Sequence, residues 1–335
     1  MFQVFTRRTA IDLAPTDSPP LDRHEPKAAR PKIGLALGGG AARGWAHIGV
    51  IKALVANGIV PDIITGTSMG ALVGGVWAAG KLDQLEAWTR GINKRRILGL
   101  MDFRLGGAGL ISGGRLAELL SKNLGPLSIE QLPVRYAAIA TEMGTGHEIW
   151  LTQGNLIDAM RASYAMPGIF SPVKVAGRWL MDGALVNPIP VSAARALGAR
   201  VVIAVNLHAE IFGRGTVIQN HGLGEDRPAA IAVEVGSKRF GSMFRIDQLI
   251  RRQFFGEPND GPRGISSVMV DAFNITQDRI ARSRLAGEPP DVMISPKLGR
   301  IGLFEFDQAT RAIELGEQAT ERTLSDLSEA LVALI

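Results

Sequence analysis

Two short apolar runs, each breaking into a glycine-rich turn and then a helical stretch, constrain this chain more than any other feature. Ile33-Gly34-Leu35-Ala36-Leu37 ends in Gly38-Gly39-Gly40, and a helical pattern continues to about Asn57, where Gly58 stops it. Ile63-Ile64-Thr65 ends at Gly66, with helix from Ala71 to Ala79 stopped at Gly80. An apolar run too short for a helix and bounded by glycine reads as a buried strand. Glycine just past the last turn of a helix is a C-terminal stop. The pattern repeats downstream. Strands are predicted at 134–140, 148–151 and 201–207, with a short hairpin over Gly177 from 173–175 and 179–181. Helices fit 81–97, 112–124, 128–131, 155–164 and 190–197. Such alternation predicts a mostly parallel central sheet covered by helices on both faces, because parallel strands need crossovers that lie on the sheet.

The second turn carries chemistry. Gly66-Thr67-Ser68-Met69-Gly70 is G-x-S-x-G between a strand and a helix. A serine there is exposed on a tight turn that only small flanking residues permit, and the following helix points its N–H groups and positive dipole end at the site. Read alone, the pentapeptide fits equally well a turn whose glycines serve packing. The first turn, Gly38 to Gly44, also has two readings. A dinucleotide loop needs G-x-G-x-x-G and an acid ending the second strand. Here the third glycine is Gly44, one place late, and Asp62 precedes the second strand. An oxyanion hole needs consecutive backbone N–H groups near a nucleophile, and the adjacent strands supply both.

A serine nucleophile needs a base. Ser68, Asp182 and His208 follow the chain order of an α/β-hydrolase triad. His208, however, follows a strand in a segment with no other site feature, and His47 reads as a packed or surface residue of the first helix. His147-Glu148 lacks the second histidine of a zinc pair, since position 151 is leucine. Met181-Asp182-Gly183-Ala184, after a short strand and before Asn187-Pro188-Ile189-Pro190, places an acid on a tight loop. An isolated Asp-Gly is usually an ordinary turn.

Taken together, the glycine-rich loop, G-x-S-x-G and Asp-Gly-Ala resemble the patatin-like phospholipase family. The match extends to Arg43-Gly44-Trp45-Ala46-His47-Ile48-Gly49, Met166-Pro167-Gly168 and Asp182 to Pro190. It is nearest the bacterial RssA-type, neuropathy-target-esterase-like branch, with a weaker match at Arg284 to Asp291. The resemblance implies a three-layer α/β patatin-type fold and a serine hydrolase of phospholipids, lysophospholipids or related acyl lipids. It implies a Ser–Asp dyad, with Ser68 attacking the ester and Asp182 taking its proton. Backbone N–H groups of Gly39, Gly40 and Ala41 would form the oxyanion hole, with Gly38, Arg43, Gly44, Gly66, Gly70, Gly183 and Ala184 supporting the motifs. One departure is visible: many members carry glycine where this chain has Ala41. No metal or organic cofactor is implied. Two alternatives stand beside it, a Ser68–Asp182–His208 esterase and a membrane-associated regulatory protein with little turnover.

Composition adds exclusions. With no cysteine there is no disulfide, thiolate nucleophile or Cys-ligated metal. A formal charge of +5 is too small to argue for nucleic acid. Arg7-Arg8 is followed by Asp12 rather than an apolar run, so no signal peptide is expected. Ile63 to Gly80 is uncharged and long enough to mimic a membrane span, yet its glycines favour strand–turn–helix. The expected location is cytoplasmic, with peripheral contact on the inner face of the membrane and self-association left open. Residues 1–31 read as a flexible leader, 33–207 as the catalytic domain, and 208–335 as a mainly helical extension packing on that domain or on a partner, with helices at 264–285 and 307–333. Within the extension, Lys238 to Phe255 form a basic amphipathic stretch suited to a membrane surface or to packing.

Overall fold

Successive side chains of a strand point to opposite faces, so strands apolar throughout, such as Ile33–Leu37, bury two faces, and both are covered. The computed structural model describes residues 30–102, 109–209 and 265–332. Its strands are β1 (Ile33–Leu37), β2 (Ile63–Thr67), β3 (Gly109–Ile111), β4 (Arg135–Glu142), β5 (Glu148–Leu151), β6 (Gly168–Phe170), β7 (Val173–Val175), β8 (Arg178–Asp182), β9 (Val201–Val205) and β10 (Val292–Ile294). Its helices are α1 (Ala46–Ala56), α2 (Met69–Ala78), α3 (Leu82–Arg90), α4 (Lys94–Leu100), α5 (Gly114–Leu124), α6 (Leu156–Ser163), α7 (Val191–Ala196), α8 (Ile265–Gly287), α9 (Ala309–Arg322) and α10 (Leu324–Val332).

The main sheet runs β10-β9-β1-β2-β4-β8-β7, with β5 also on β4. The five strands from β10 to β4 are parallel; β5, β8 and β7 run antiparallel to their neighbours. Leu35, Leu37, Ile64, Ile203 and Val205 point to a core shared with α1, α2 and α9. Ala36, Ile63, Val202 and Ala204 point to the other face, against α7 and α8. Each fully buried aliphatic side chain contributes about 1.5–3 kcal/mol, so strands apolar on both faces are held only when both layers are present. Helix α9 crosses α1 at backbone contact. A Cβ on Gly49 would meet Ile313 O at 1.9 Å, and one on Gly316 would meet Ala46 O at 2.1 Å. Arg284 to Asp291 is tied to the sheet by polar contacts. Arg284 pairs with Glu148 at 2.7 Å, and Asp291 accepts from the Val202 N–H at 2.6 Å.

Several expectations need correction. Residues 81–97 form two helices, because Asn93 turns extended and caps α4 by accepting from the Arg96 N–H at 3.0 Å. The first helix opens with a 3-10 turn at Ala41–Trp45, and 129–131 is a 3-10 turn rather than a helix. The helix expected over 307–333 is a 3-10 turn followed by α9 and α10, with no side-chain cap from Asp307. Strands β3, β6 and β10, of three residues each, are too short for periodicity to reveal. Ile63 to Gly80 folds as β2, turn and α2, and no helix of the described residues is long and apolar enough to cross a membrane. The leader up to residue 29 and the basic stretch at 238–255 lie outside the described residues.

Candidate active site

Parallel register delivers the two glycine turns to one place. Leu37 pairs with Gly66, so the loop after β1 and the turn after β2 leave the same edge of the sheet. Thr67 pairs with Ile139 on β4, and the next residue of β4, Ala140, pairs with Asp182 at the end of β8. Adjacent rungs thus bring Ser68 and Asp182 together across a wide gap in sequence.

Ser68 has φ 56° and ψ −122°, a left-handed backbone that side chains rarely adopt. Such strain persists only where surroundings over-determine it. Here a Cβ on Gly70 would lie 2.1 Å from Leu37 O, and one on Gly66 would lie 2.5 Å from the Ala71 backbone. Gly44 faces Met69 in the same way, at 2.3 Å. The Ser68 N–H donates to Ser163 Oγ at 2.9 Å, and that hydroxyl donates to Ile139 O at 2.5 Å. Thr65 and Thr67 donate to Pro190 O and Asn187 O, tying β2 to the segment after Asp182.

The Ser68 hydroxyl donates to Asp182 Oδ2 at 2.7 Å. The other carboxylate oxygen accepts from the Ala184 N–H at 2.9 Å, an interaction available because Gly183 turns against Ile139 O, where a Cβ would lie 2.2 Å away. Asp182 is wholly buried and Ser68 nearly so. Burial pushes the Asp182 carboxyl up to about 7, while the Ala184 and Ser68 hydrogen bonds oppose the rise. A carboxyl titrating near neutrality beside a hydroxyl can exchange a proton with it.

The glycine loop lies against this pair. A Cβ on Gly39 would come within 3.5 Å of Ser68 Cβ and 3.7 Å of Ala184 Cβ. Its own N–H, though, donates to Pro188 O at 3.1 Å, and the Gly38 N–H to Val205 O at 3.1 Å. Among the described residues the N–H groups of Gly40 and Ala41 have no hydrogen-bond partner, whereas that of Gly39 does. Ala41 has φ 46°. This position therefore holds a backbone that favours glycine. Arg43 is buried and donates to Ile301 O at 2.7 Å; burial lowers its guanidinium to about 10, so it stays a cation at neutral pH.

Neither candidate histidine joins Ser68 to Asp182. His47 is fully buried and donates Nε2–H to Gly38 O at 2.8 Å, buttressing the loop. Burial drops its pKa to about 4, keeping it neutral. His208 is buried and also near 4; the charges it feels are Arg43 and Asp278, not Asp182. The triad order in the sequence thus has no counterpart in space. Neither Ser163 nor the role of His47 was legible in the sequence, since each depends on which loop folds against it. Among the described residues no group of three or more His, Asp or Glu could hold a metal ion.

The family model for patatin-like phospholipases matches residues 35–195. An NTE family protein of Mycobacterium tuberculosis is 33% identical over 347 residues, covering 92% of this chain and 96% of its own length. Neuropathy target esterase sws of Drosophila melanogaster is 32% identical over 185 residues, 53% of this chain and 13% of that protein. Among solved structures, VipD from Legionella pneumophila matches with a TM-score of 0.43 and 14% identity, over 89% of this chain and 67% of that one.

Proposed function

The chain belongs to the NTE family of patatin-like phospholipases, and we propose that it is a serine hydrolase cleaving carboxylic ester bonds of phospholipids, lysophospholipids or related acyl lipids through Ser68 and Asp182. One observation carries this reading: the direct 2.7 Å hydrogen bond between a strained elbow serine and a buried carboxylate. Asp182 accepts the Ser68 proton as Oγ bonds to the ester carbon, then passes it to the departing alcohol. Water next attacks the acyl-enzyme, gives a proton to Asp182, and Ser68 recovers its own. Burial makes this possible without an imidazole, because a carboxylate near 7 is a far better base than one at 3.8. Gly40 and Ala41 N–H stabilise the oxyanion, and each such donor is worth roughly 3–4 kcal/mol of barrier. Ile111, Met166, Ile169, Val270 and Phe273 cluster with Ala184, giving an acyl chain an apolar surface beside the dyad.

A fluorophosphonate probe tests the reading. Wild type is expected to label at Ser68 and hydrolyse a short-chain ester. Ser68→Ala is expected to do neither while keeping its fold, with turnover down at least about a thousandfold, since the nucleophile supplies several kcal/mol. A folded Ser68→Ala protein within tenfold of wild type refutes it. A protein that labels but turns over no lipid ester favours the regulatory alternative.

A further inference from the structure

Helix α8 packs its apolar face on the turn that carries Asp182, placing Val270 and Phe273 beside Ala184. One turn further along, Gln277 is also buried, at 4% exposure, and its amide oxygen has no partner among the described residues. That oxygen would lie 3.2 Å from a Cβ on Gly39, the same point that lies 3.5 Å from Ser68 Cβ. A buried acceptor without a donor is costly and rare, and this one lies against the same glycine that borders the nucleophile.

We infer that Gln277 is a positioning residue for the water that hydrolyses the acyl-enzyme, an inference that rests on the serine-hydrolase reading above. An ester carbonyl is only an acceptor, so it cannot satisfy Gln277. Water brings two hydrogens. In deacylation one goes to Asp182 as the water oxygen bonds to the acyl carbon. The other needs an acceptor to fix the direction of the attacking lone pair, and Gln277 Oε1 supplies it. The acyl–Oγ bond then breaks, Asp182 returns its proton to Ser68, and a carboxylic acid leaves. Acylation needs no such water, so Gln277 serves the second half-reaction alone.

The test uses an acceptor with one hydrogen. Methanol gives its only hydroxyl proton to Asp182 and has no need of Gln277. The full-length protein and the variants Gln277→Met and Gln277→Leu are assayed on p-nitrophenyl butyrate with and without methanol, each with its thermal unfolding checked. In a folded variant kcat/KM, which reports acylation, is expected to stay within twofold of wild type. The ratio of methyl ester to free acid is expected to rise at least fivefold. An unchanged ratio overturns the inference, as does a fall in kcat/KM matching that in kcat, which would make Gln277 a contact for the substrate or the leaving group. Should the wild type form no acyl-enzyme on Ser68, the serine-hydrolase reading fails first and this inference falls with it.

Discussion

Replacing Asp182 by asparagine separates the charge of this side chain from its shape. Asparagine keeps an oxygen for the Ala184 N–H and sets an amide against Ser68 Oγ, which then accepts instead of donating. Only the ionisable group is lost. Burial lifts the carboxyl from 3.8 to about 7. At about 1.4 kcal/mol per tenfold, the ionised carboxylate burdens the folded state by roughly 4 kcal/mol. The folded protein holds this proton more tightly than the unfolded chain. The burden is therefore absent below about pH 4, grows up to about pH 7, and is constant above. Urea unfolding at pH 4 and pH 8 checks it. Asp182→Asn should match wild type at pH 4 within about 1 kcal/mol, and exceed it by about 2–4 kcal/mol at pH 8. Wild-type kcat/KM should rise with pH through about 7 as Asp182 ionises, while the variant loses activity at every pH. A stability difference that is the same at both pH values would refute the desolvated carboxylate. Turnover by the variant within tenfold of wild type would remove Asp182 as base.

Two further outcomes follow from local geometry. Ala41 sits at φ 46°, a conformation costing a non-glycine residue about 1–2 kcal/mol. Ala41→Gly relieves this but gains unfolded-chain entropy of about 0.5–1 kcal/mol, so its urea midpoint should rise slightly or stay level with ester hydrolysis intact; a loss above about 1 kcal/mol would contradict the strained loop. Ser163→Ala leaves the Ser68 N–H and Ile139 O buried without their partner, and should lower unfolding free energy by about 2–4 kcal/mol together with kcat. A neutral Ser163→Ala would mean that the elbow is held by its glycines alone.

Ser68, Asp182 and the glycine loop were legible in the sequence because their requirements are local. A strained elbow needs glycine at Gly66 and Gly70, the loop after the first strand needs it at Gly38 against Val205 O, and a turn against a strand needs it at Gly183. The parallel, helix-covered sheet was legible for a similar reason, since strands such as Ile33–Leu37 and Val201–Val205 are apolar on both faces. Three-residue strands such as Val292–Ile294 were not, for they carry less than two periods of any pattern and form only because a neighbour offers its edge. What only the tertiary structure decided is pairing across the chain: that Asp182 rather than His208 meets Ser68, that the Gly39 N–H is taken by Pro188, that Ser163 accepts from the Ser68 N–H, and that Gln277 lies against Gly39. The physical reason is register. Side chains far apart in sequence meet where strand pairing and helix packing align them, and a one-residue slip in pairing register would turn a strand's side chains to the other face of the sheet.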